Sequence, residues 1–218
     1  VNNLIAFRKL INNNDNVWCD IDGMIWHSKL EVGWYPCNTD GVYDEEYFNN
    51  YLKYKNTETG KKITQFRTDF VNKIYDGDLI DFGSGSGQFV ESRSKTFGID
   101  VNPFSVSALK TIGKYCDQIP SNPRAISFWD SLEHIKDCWD IVETISEYVF
   151  VSIPIFVSMI HALRSKHFKP KEHYWYFTEK GLIECFLLMG FSLVERSDFE
   201  TRYCGRDMVY TYCFKRII

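Results

Sequence analysis

An α/β fold built on a mostly parallel sheet is what this sequence predicts, and three observations predict it. Residues 79 to 103 read as strand, glycine-rich turn, helix, strand and a helix opening on proline. Tyr148 to Phe156 is a continuous apolar run, the pattern of a strand covered on both faces. Phe191 to Phe199 and Met208 to Lys215 read as two final strands that close the chain as an antiparallel pair. With 218 residues, of which 44% are apolar and 17% aromatic, the chain can bury a sizeable core.

The elements follow in order. Residues 4 to 12 have the spacing of a short amphipathic helix, which the Asn-rich run after it breaks. Asp22-Gly23 between apolar residues of 17 to 26 is a hairpin signal, and Val32 to Tyr35 supplies a third strand. Residues 1 to 42 therefore read as a small β-rich appendage, with the main domain at 43 to 218. Tyr47, Tyr51 and Tyr54 repeat at helical spacing; Thr57 to Gly60 is a break, and Lys62 to Asn72 is a second helix. Strand Asp78 to Phe82, a helix from Gly87, strand Thr96 to Val101 and a helix from Pro103 to about Lys114 come next. Residues 125 to 130 form another strand, and Thr178 to Gly190 a helix with its glycine cap.

The chemistry concentrates at the first strand. It ends in Asp81 and opens into Gly83, Ser84, Gly85 and Gly87; the next strand ends in Asp100 and Val101. Alternating glycines allow a turn whose backbone approaches a ligand closely. A strand-end acid about 20 residues further on suits a ribose diol. Nicotinamide and flavin sites use G-x-G-x-x-G over a pyrophosphate, whereas here the run is D-x-G-x-G-x-G.

That run resembles motif I of the class I S-adenosylmethionine methyltransferases, and the resemblance extends from Tyr43 to Arg216. Phe128-Trp-Asp-Ser-Leu-Glu-His-Ile is similar to the D-x-L-E-H segment of the small-molecule subgroup, which includes ubiquinone-pathway O-methyltransferases. Phe150-Val-Ser-Ile-Pro is similar to its fifth strand, and His173-Tyr-Trp-Tyr-Phe-Thr with Met189-Gly-Phe to its late block. As a whole the chain looks like phage and bacterial methyltransferases. The resemblance implies a Rossmann-like sheet with a reversed final hairpin and S-adenosylmethionine as cofactor. It implies that the glycine turn passes under the ligand's methionine part, that Asp81 helps hold its ammonium, and that Asp130 meets methionine or substrate. The stretch between Lys114 and Arg124 is too short for a full third strand and an adenine-contacting loop, so no residue is assigned to the adenine amino group.

Several residues carry two readings each. Asp130 is a ligand contact or a helix N-cap, a role Ser131 can also fill. His134 is a general base for a hydroxyl or amine acceptor, with His167 or His173 as substitutes, or a packing residue. The stretch His161 to His173 holds three His, one Arg and three Lys. It is an anion clamp, with Arg164, Lys166, His167 and His173 as substrate contacts, or a solvated charged loop. A metal set of His161, His167, His173 and Glu172 fits no helical face, and no metal is expected. Cys19, His27 and Cys37 have loose spacing for zinc and read better as buried thiols. Trp18, Trp26 and Trp34 read as hairpin packing.

Net charge of −4 argues against non-specific polyanion binding. Seven cysteines without a C-x-x-C pair read as reduced thiols of a cytoplasmic protein, and no signal peptide or membrane-spanning run is visible. The expected activity is methyl transfer to an O or N nucleophile of a small or medium-sized acceptor, with anionic character suggested by the basic loop and with the N-terminal segment and the 157 to 175 loop as a lid. Adenine-N6 and cytosine-N4 enzymes carry (D/N/S)-P-P-(Y/F) where this chain has Asp130-Ser-Leu-Glu. Tyr35-Pro36-Cys37 contains the Pro-Cys dipeptide of cytosine-C5 enzymes, but before the glycine turn rather than after it, and reads as a turn with a core cysteine. An RNA or modified-base acceptor, a non-catalytic ligand-binding protein and a nicotinamide oxidoreductase stand as alternatives. Oligomeric state is left open.

Overall fold

The computed structural model describes residues 18 to 39 and 41 to 217, excluding the side chains of Trp18 and Cys19. The helix expected at 4 to 12 lies outside the described residues. A ten-stranded sheet organises the rest. Its strands are β1 (Trp18–Ile21), β2 (Met24–His27), β3 (Val32–Trp34), β4 (Leu79–Phe82), β5 (Thr96–Ile99), β6 (Ala125–Trp129), β7 (Tyr148–Phe156), β8 (Trp175–Thr178), β9 (Phe191–Ser197) and β10 (Val209–Arg216). The hydrogen-bonded order is β1-β2-β3-β8-β7-β6-β4-β5, with β10 on β7 and β9 on β10. The β4/β5, β4/β6, β6/β7 and β7/β8 pairs are parallel; β10 runs antiparallel to β7 and β9. This is the mostly parallel sheet with a reversed C-terminal hairpin that the sequence predicts.

β7 is the centre of the sheet, buried at all nine positions. Its residues alternate between two cores: Val149, Val151 and Ile153 join a cluster with Trp139, Phe177 and Phe186, while Tyr148 and Phe150 join another with Phe70, Leu79 and Phe89. Side chains of period two thus serve both faces, which explains the unbroken apolar run.

Among the described residues, eight helices cover the sheet: α1 (Glu45–Lys55), α2 (Glu58–Ile74), α3 (Gln88–Ser92), α4 (Pro103–Thr111), α5 (Cys138–Thr144), α6 (Met159–Arg164), α7 (Glu179–Leu188) and α8 (Phe199–Cys204). None of the described helices is long and apolar enough to cross a membrane. The break at Thr57 is a helix start, since the Thr57 hydroxyl accepts from the Gly60 amide and caps α2. The short third-strand region survives as one isolated parallel bridge, Gly98 with Tyr115.

The N-terminal strands extend the sheet. Asp22 and Gly23 take positive φ (53° and 81°), as the tight β1–β2 hairpin requires. β3 pairs antiparallel with β8, a strand hidden inside the His173 to Thr178 motif. Trp26 is buried beneath α6 with Met24 and Tyr176, and Trp34 packs on the main core. The extension therefore lies along the carboxyl end of β7, beside the strands that carry the site.

Candidate functional site

The glycine turn leaves β4 at Phe82 and is held from below. The Gly83 amide donates to Ile99 O at 2.8 Å, and the Ser84 hydroxyl donates to Asp81 O at 2.8 Å. Ser84 is thus spent inside the turn. Gly83 has φ +79°, and a Cβ there would sit 2.6 Å from Ser131 Cβ. Only a residue without a side chain lets this backbone pass. Asp100 faces the turn: one carboxylate oxygen accepts from the Gly85 amide at 2.7 Å, the other from the Asn102 amide at 2.8 Å. Burial nevertheless holds the Asp100 pKa above the ordinary carboxylate value.

Two cavities share this turn. One, of about 340 Å³, is lined by Gly83, Gly85, Asp100, Val101, Tyr43 and His134, among others. It has the size and mainly apolar character of a small-molecule site. The other, of about 300 Å³, is lined by Asp81, Ser84, Ser86, Arg67, Asp130 and Arg206, among others. An apolar chamber joined at a glycine turn to a charged one suits a ligand with a nucleoside at one end and an amino-acid zwitterion at the other. Asp81 is buried at the sheet end, where it accepts from Ser127 Oγ at 2.7 Å. Burial pushes its pKa up to about 7, so a cation beside it would restore its charge.

Asp130 neither caps a helix nor stands free. Its carboxylate receives Arg206 on both oxygens (2.8 Å each) and Arg67 at 2.7 Å. Both guanidiniums also reach Glu200, which is fully buried: Arg67 Nε at 2.8 Å and Arg206 Nη1 at 2.6 Å. Two cations and two anions make a neutral buried square beside the turn. Although burial works in the opposite direction, Arg206 and Arg67 hold the Asp130 pKa well below the usual carboxylate range. Ser131 makes no capping bond either; its hydroxyl donates to Phe82 O at 2.5 Å.

On the acceptor side, Glu133 and His134 lie on a 3₁₀ turn, Leu132–His134, after β6. His134 Nδ1 is 3.1 Å from the Tyr43 hydroxyl, and its ring meets that of His173 edge-on with centroids 4.4 Å apart. Burial, with Lys169 acting in the same direction, pushes the His134 pKa down to about 4. The ring is neutral at physiological pH and a weak proton acceptor. Burial also lowers His173, and raises Glu133 to about 8 with help from the Asp130 charge.

The expected basic clamp does not assemble at the cavities. Arg164 is exposed at the end of α6 and Lys166 pairs with Asp207 at 3.6 Å. The His167 ring is 2.8 Å from Asp207 O. None of the three lines either cavity. The physical reason is that α6 and the following turn carry them away, with His161 spent on the Val157 amide. His173, the fourth expected contact, is buried beside His134 but lines neither cavity. Cations at the cavities come instead from Arg67, Arg206 and Lys136, which no local motif marks. Of the wall of Tyr43, Tyr47 and Tyr51, the last two were visible only as helical spacing, and Tyr43 not at all. His27 accepts from the Leu30 amide, Cys37 is half-buried, and the Cys19 side chain lies outside the described residues.

A family model described as a methyltransferase domain matches residues 51 to 196. No curated protein matches the chain in sequence. Solved structures share the fold at low identity. Magnesium protoporphyrin IX methyltransferase from Synechocystis with bound SAH aligns at TM-score 0.60 and 10% identity, over 80% of this chain and 96% of that one. An S-adenosylmethionine-dependent methyltransferase from Thermotoga maritima aligns at 0.57 and 11%, over 79% and 97%. One from Archaeoglobus fulgidus aligns at 0.57 and 13%, over 79% and 100%.

Proposed function

The chain belongs to the methyltransferase-domain family, and from that premise we propose that it moves the methyl group of S-adenosylmethionine to an oxygen or nitrogen of a small or medium-sized acceptor with anionic character. The observation that carries this reading is that Asp100, the glycine turn and His134 line one cavity. A cofactor held by the first two therefore presents its methyl toward the third.

Asp100 takes the ribose hydroxyls, exchanging one of its amide bonds for them. Asp81 and the Arg67–Asp130–Arg206 group meet the amino-acid end in the charged cavity. The sulfonium supplies an already activated methyl, so the protein's task is orientation, exclusion of water and removal of the acceptor's proton. Tyr43, Tyr47 and Tyr51 wall the cavity against solvent. Lys136, on the same cavity, takes the attracting role first sought in Arg164 and Lys166. His134 stands at the acceptor end, and His173 supports its ring from behind.

Calorimetric titration with S-adenosylhomocysteine tests the cofactor half. Asp100→Ala is expected to weaken binding about 10- to 100-fold, the value of losing charge-assisted hydrogen bonds. Unchanged affinity would remove Asp100 from the site. Incubation with methyl-labelled cofactor and separate small-molecule and RNA fractions tests the acceptor half: label is expected in the small-molecule fraction, and label in RNA alone would overturn that class.

A further inference from the structure

We propose that Glu133, His134 and His173 form a binding site for a divalent first-row transition cation on the acceptor side of the cavity. One ligand atom from each residue lies within 4.8 Å of the other two. Two imidazoles and one carboxylate suit zinc-like or iron-like ions better than the all-oxygen preference of calcium or magnesium. A bound ion would draw the three to about 2.0–2.2 Å.

The second observation is an orphan. Glu133 is 2% exposed, and its Oε2 has no hydrogen-bond partner among the described residues. A buried carboxylate oxygen without a partner is costly, so a native fold that keeps one calls for something to satisfy it. His173 is similarly enclosed, at 3% exposed. The backbone around the three is fixed. The His173 amide donates to Lys169 O at 2.8 Å, and the Tyr174 amide donates to Glu133 O at 2.8 Å, tying the two ligand segments together. The His134 ring bonds the Glu172 backbone, the outer-shell support that metal-bound imidazoles usually have, and its Nδ1 lies 3.1 Å from the Tyr43 hydroxyl, a partner that a bound ion would replace or keep in its outer shell. The nearby Lys169 ammonium is held by Glu172 at 3.2 Å, which offsets its charge.

Three protein ligands leave a coordination position open, the arrangement of a catalytic rather than a structural site. Of the three, His134 lines the cavity while Glu133 and His173 are buried behind it, so a cation would reach the acceptor only past the His134 ring. A cation within reach of the acceptor would supply Lewis acidity at its oxygen or nitrogen. A metal here departs from the sequence expectation of none. The catalytic consequence rests on the methyltransferase reading; the binding itself does not.

The test uses the full chain, stripped with chelator and titrated with Co²⁺. One equivalent is expected, with visible d–d absorption of low-coordinate cobalt and no thiolate charge-transfer band. Glu133→Gln and His173→Asn are each expected to weaken binding by more than the roughly 10–100-fold that loss of an outer-shell partner costs. S-adenosylhomocysteine titration of each variant reports folding and the cofactor site separately. Should the variants not fold, the wild-type melting temperature decides: one equivalent of Zn²⁺ is expected to raise it. No stoichiometric Co²⁺, a thiolate band, unchanged affinity in both folded variants, or no Zn²⁺ shift would overturn the proposal. Loss of S-adenosylhomocysteine binding with Co²⁺ binding intact would instead overturn the methyltransferase reading alone.

Discussion

The two sides of the cavity are built differently. On the cofactor side, Gly85 and Asp100 meet across 15 positions of sequence, and the hydrogen bonds that hold Gly83, Ser84 and Asp100 join residues 81 to 102. On the acceptor side, Tyr43 meets His134 across 91 positions; the charged square beside the turn is long-range as well, with Arg67 meeting Glu200 across 133. The first is a local device carried by one strand–turn–helix–strand unit. The second exists only once the whole sheet is folded. A ligand common to many enzymes is served by the portable part, and the individual acceptor by the part that each fold assembles anew.

The largest effect that can sharpen this contrast lies in the long-range half. Glu200 is fully enclosed and bridges two arginines, with Ser152 Oγ donating to it at 2.8 Å. Glu200→Ala leaves the positive charge of Arg67 and Arg206 only half matched inside the protein. Breaking such a buried set typically costs about 3–5 kcal/mol. Urea unfolding is expected to show a loss of that order. Glu58→Ala, which removes the exposed partner of Lys61, is expected to stay within about 0.5 kcal/mol. Equal small losses would mean that the square is a geometric coincidence.

A pair of glycines separates the two regions next. An added Cβ at Gly83 meets Ser131, and one at Gly181 comes within 2.6 Å of the Leu30 carbonyl oxygen, where α7 abuts the N-terminal extension. Both substitutions by alanine are expected to cost about 1–3 kcal/mol through overpacking, with positive φ adding to the first. Their ligand readouts should differ. Gly83→Ala is expected to lower S-adenosylhomocysteine affinity, because the turn must shift; Gly181→Ala should leave it near wild type. Matching losses would show the extension and the turn to be one mechanical unit.

The same division decides what was legible in the sequence. Asp81, the glycine triplet and Asp100 could be placed because strand, turn and acid follow one another within a short window. The β1–β2 hairpin was legible for the same reason, through Asp22-Gly23. Arg67 gave no such signal: it sits in mid-helix like any surface arginine, and only the packing of α2 against α8 turns it toward Asp130. Arg206 follows a short helix in the connection between the last two strands, where the sequence marks no element. The charge-rich stretch from His161 misled in the opposite sense. Its composition suggested a clamp, yet composition carries no direction, and α6 points Arg164 and Lys166 to solvent. Pairing His173 with His134 required β8, whose first three residues pair with β3 more than 140 positions away.

The smallest expected effect tests how closely the local half fits its ligand. Asp81 titrates near 7 in the folded chain, against 3.8 in an ordinary environment. A raised folded pKa means that folding favours the protonated form. Its contribution to stability is complete below about pH 4 and is lost as pH rises through 7. Asp81→Asn removes that loss, so its melting temperature is expected to gain on wild type between pH 4 and 7. A ligand ammonium beside Asp81 reverses the preference, because it needs the ionised carboxylate. The ionised fraction rises about tenfold between pH 6 and pH 8 for a pKa of about 7. Wild-type affinity for S-adenosylhomocysteine is therefore expected to rise by about tenfold across that range, roughly 1.4 kcal/mol, with proton release at pH 6. Asp81→Asn should bind more weakly at pH 8 and show no such slope. A flat wild-type profile would take Asp81 out of the ligand's reach and leave it as a buried acid answering only to Ser127.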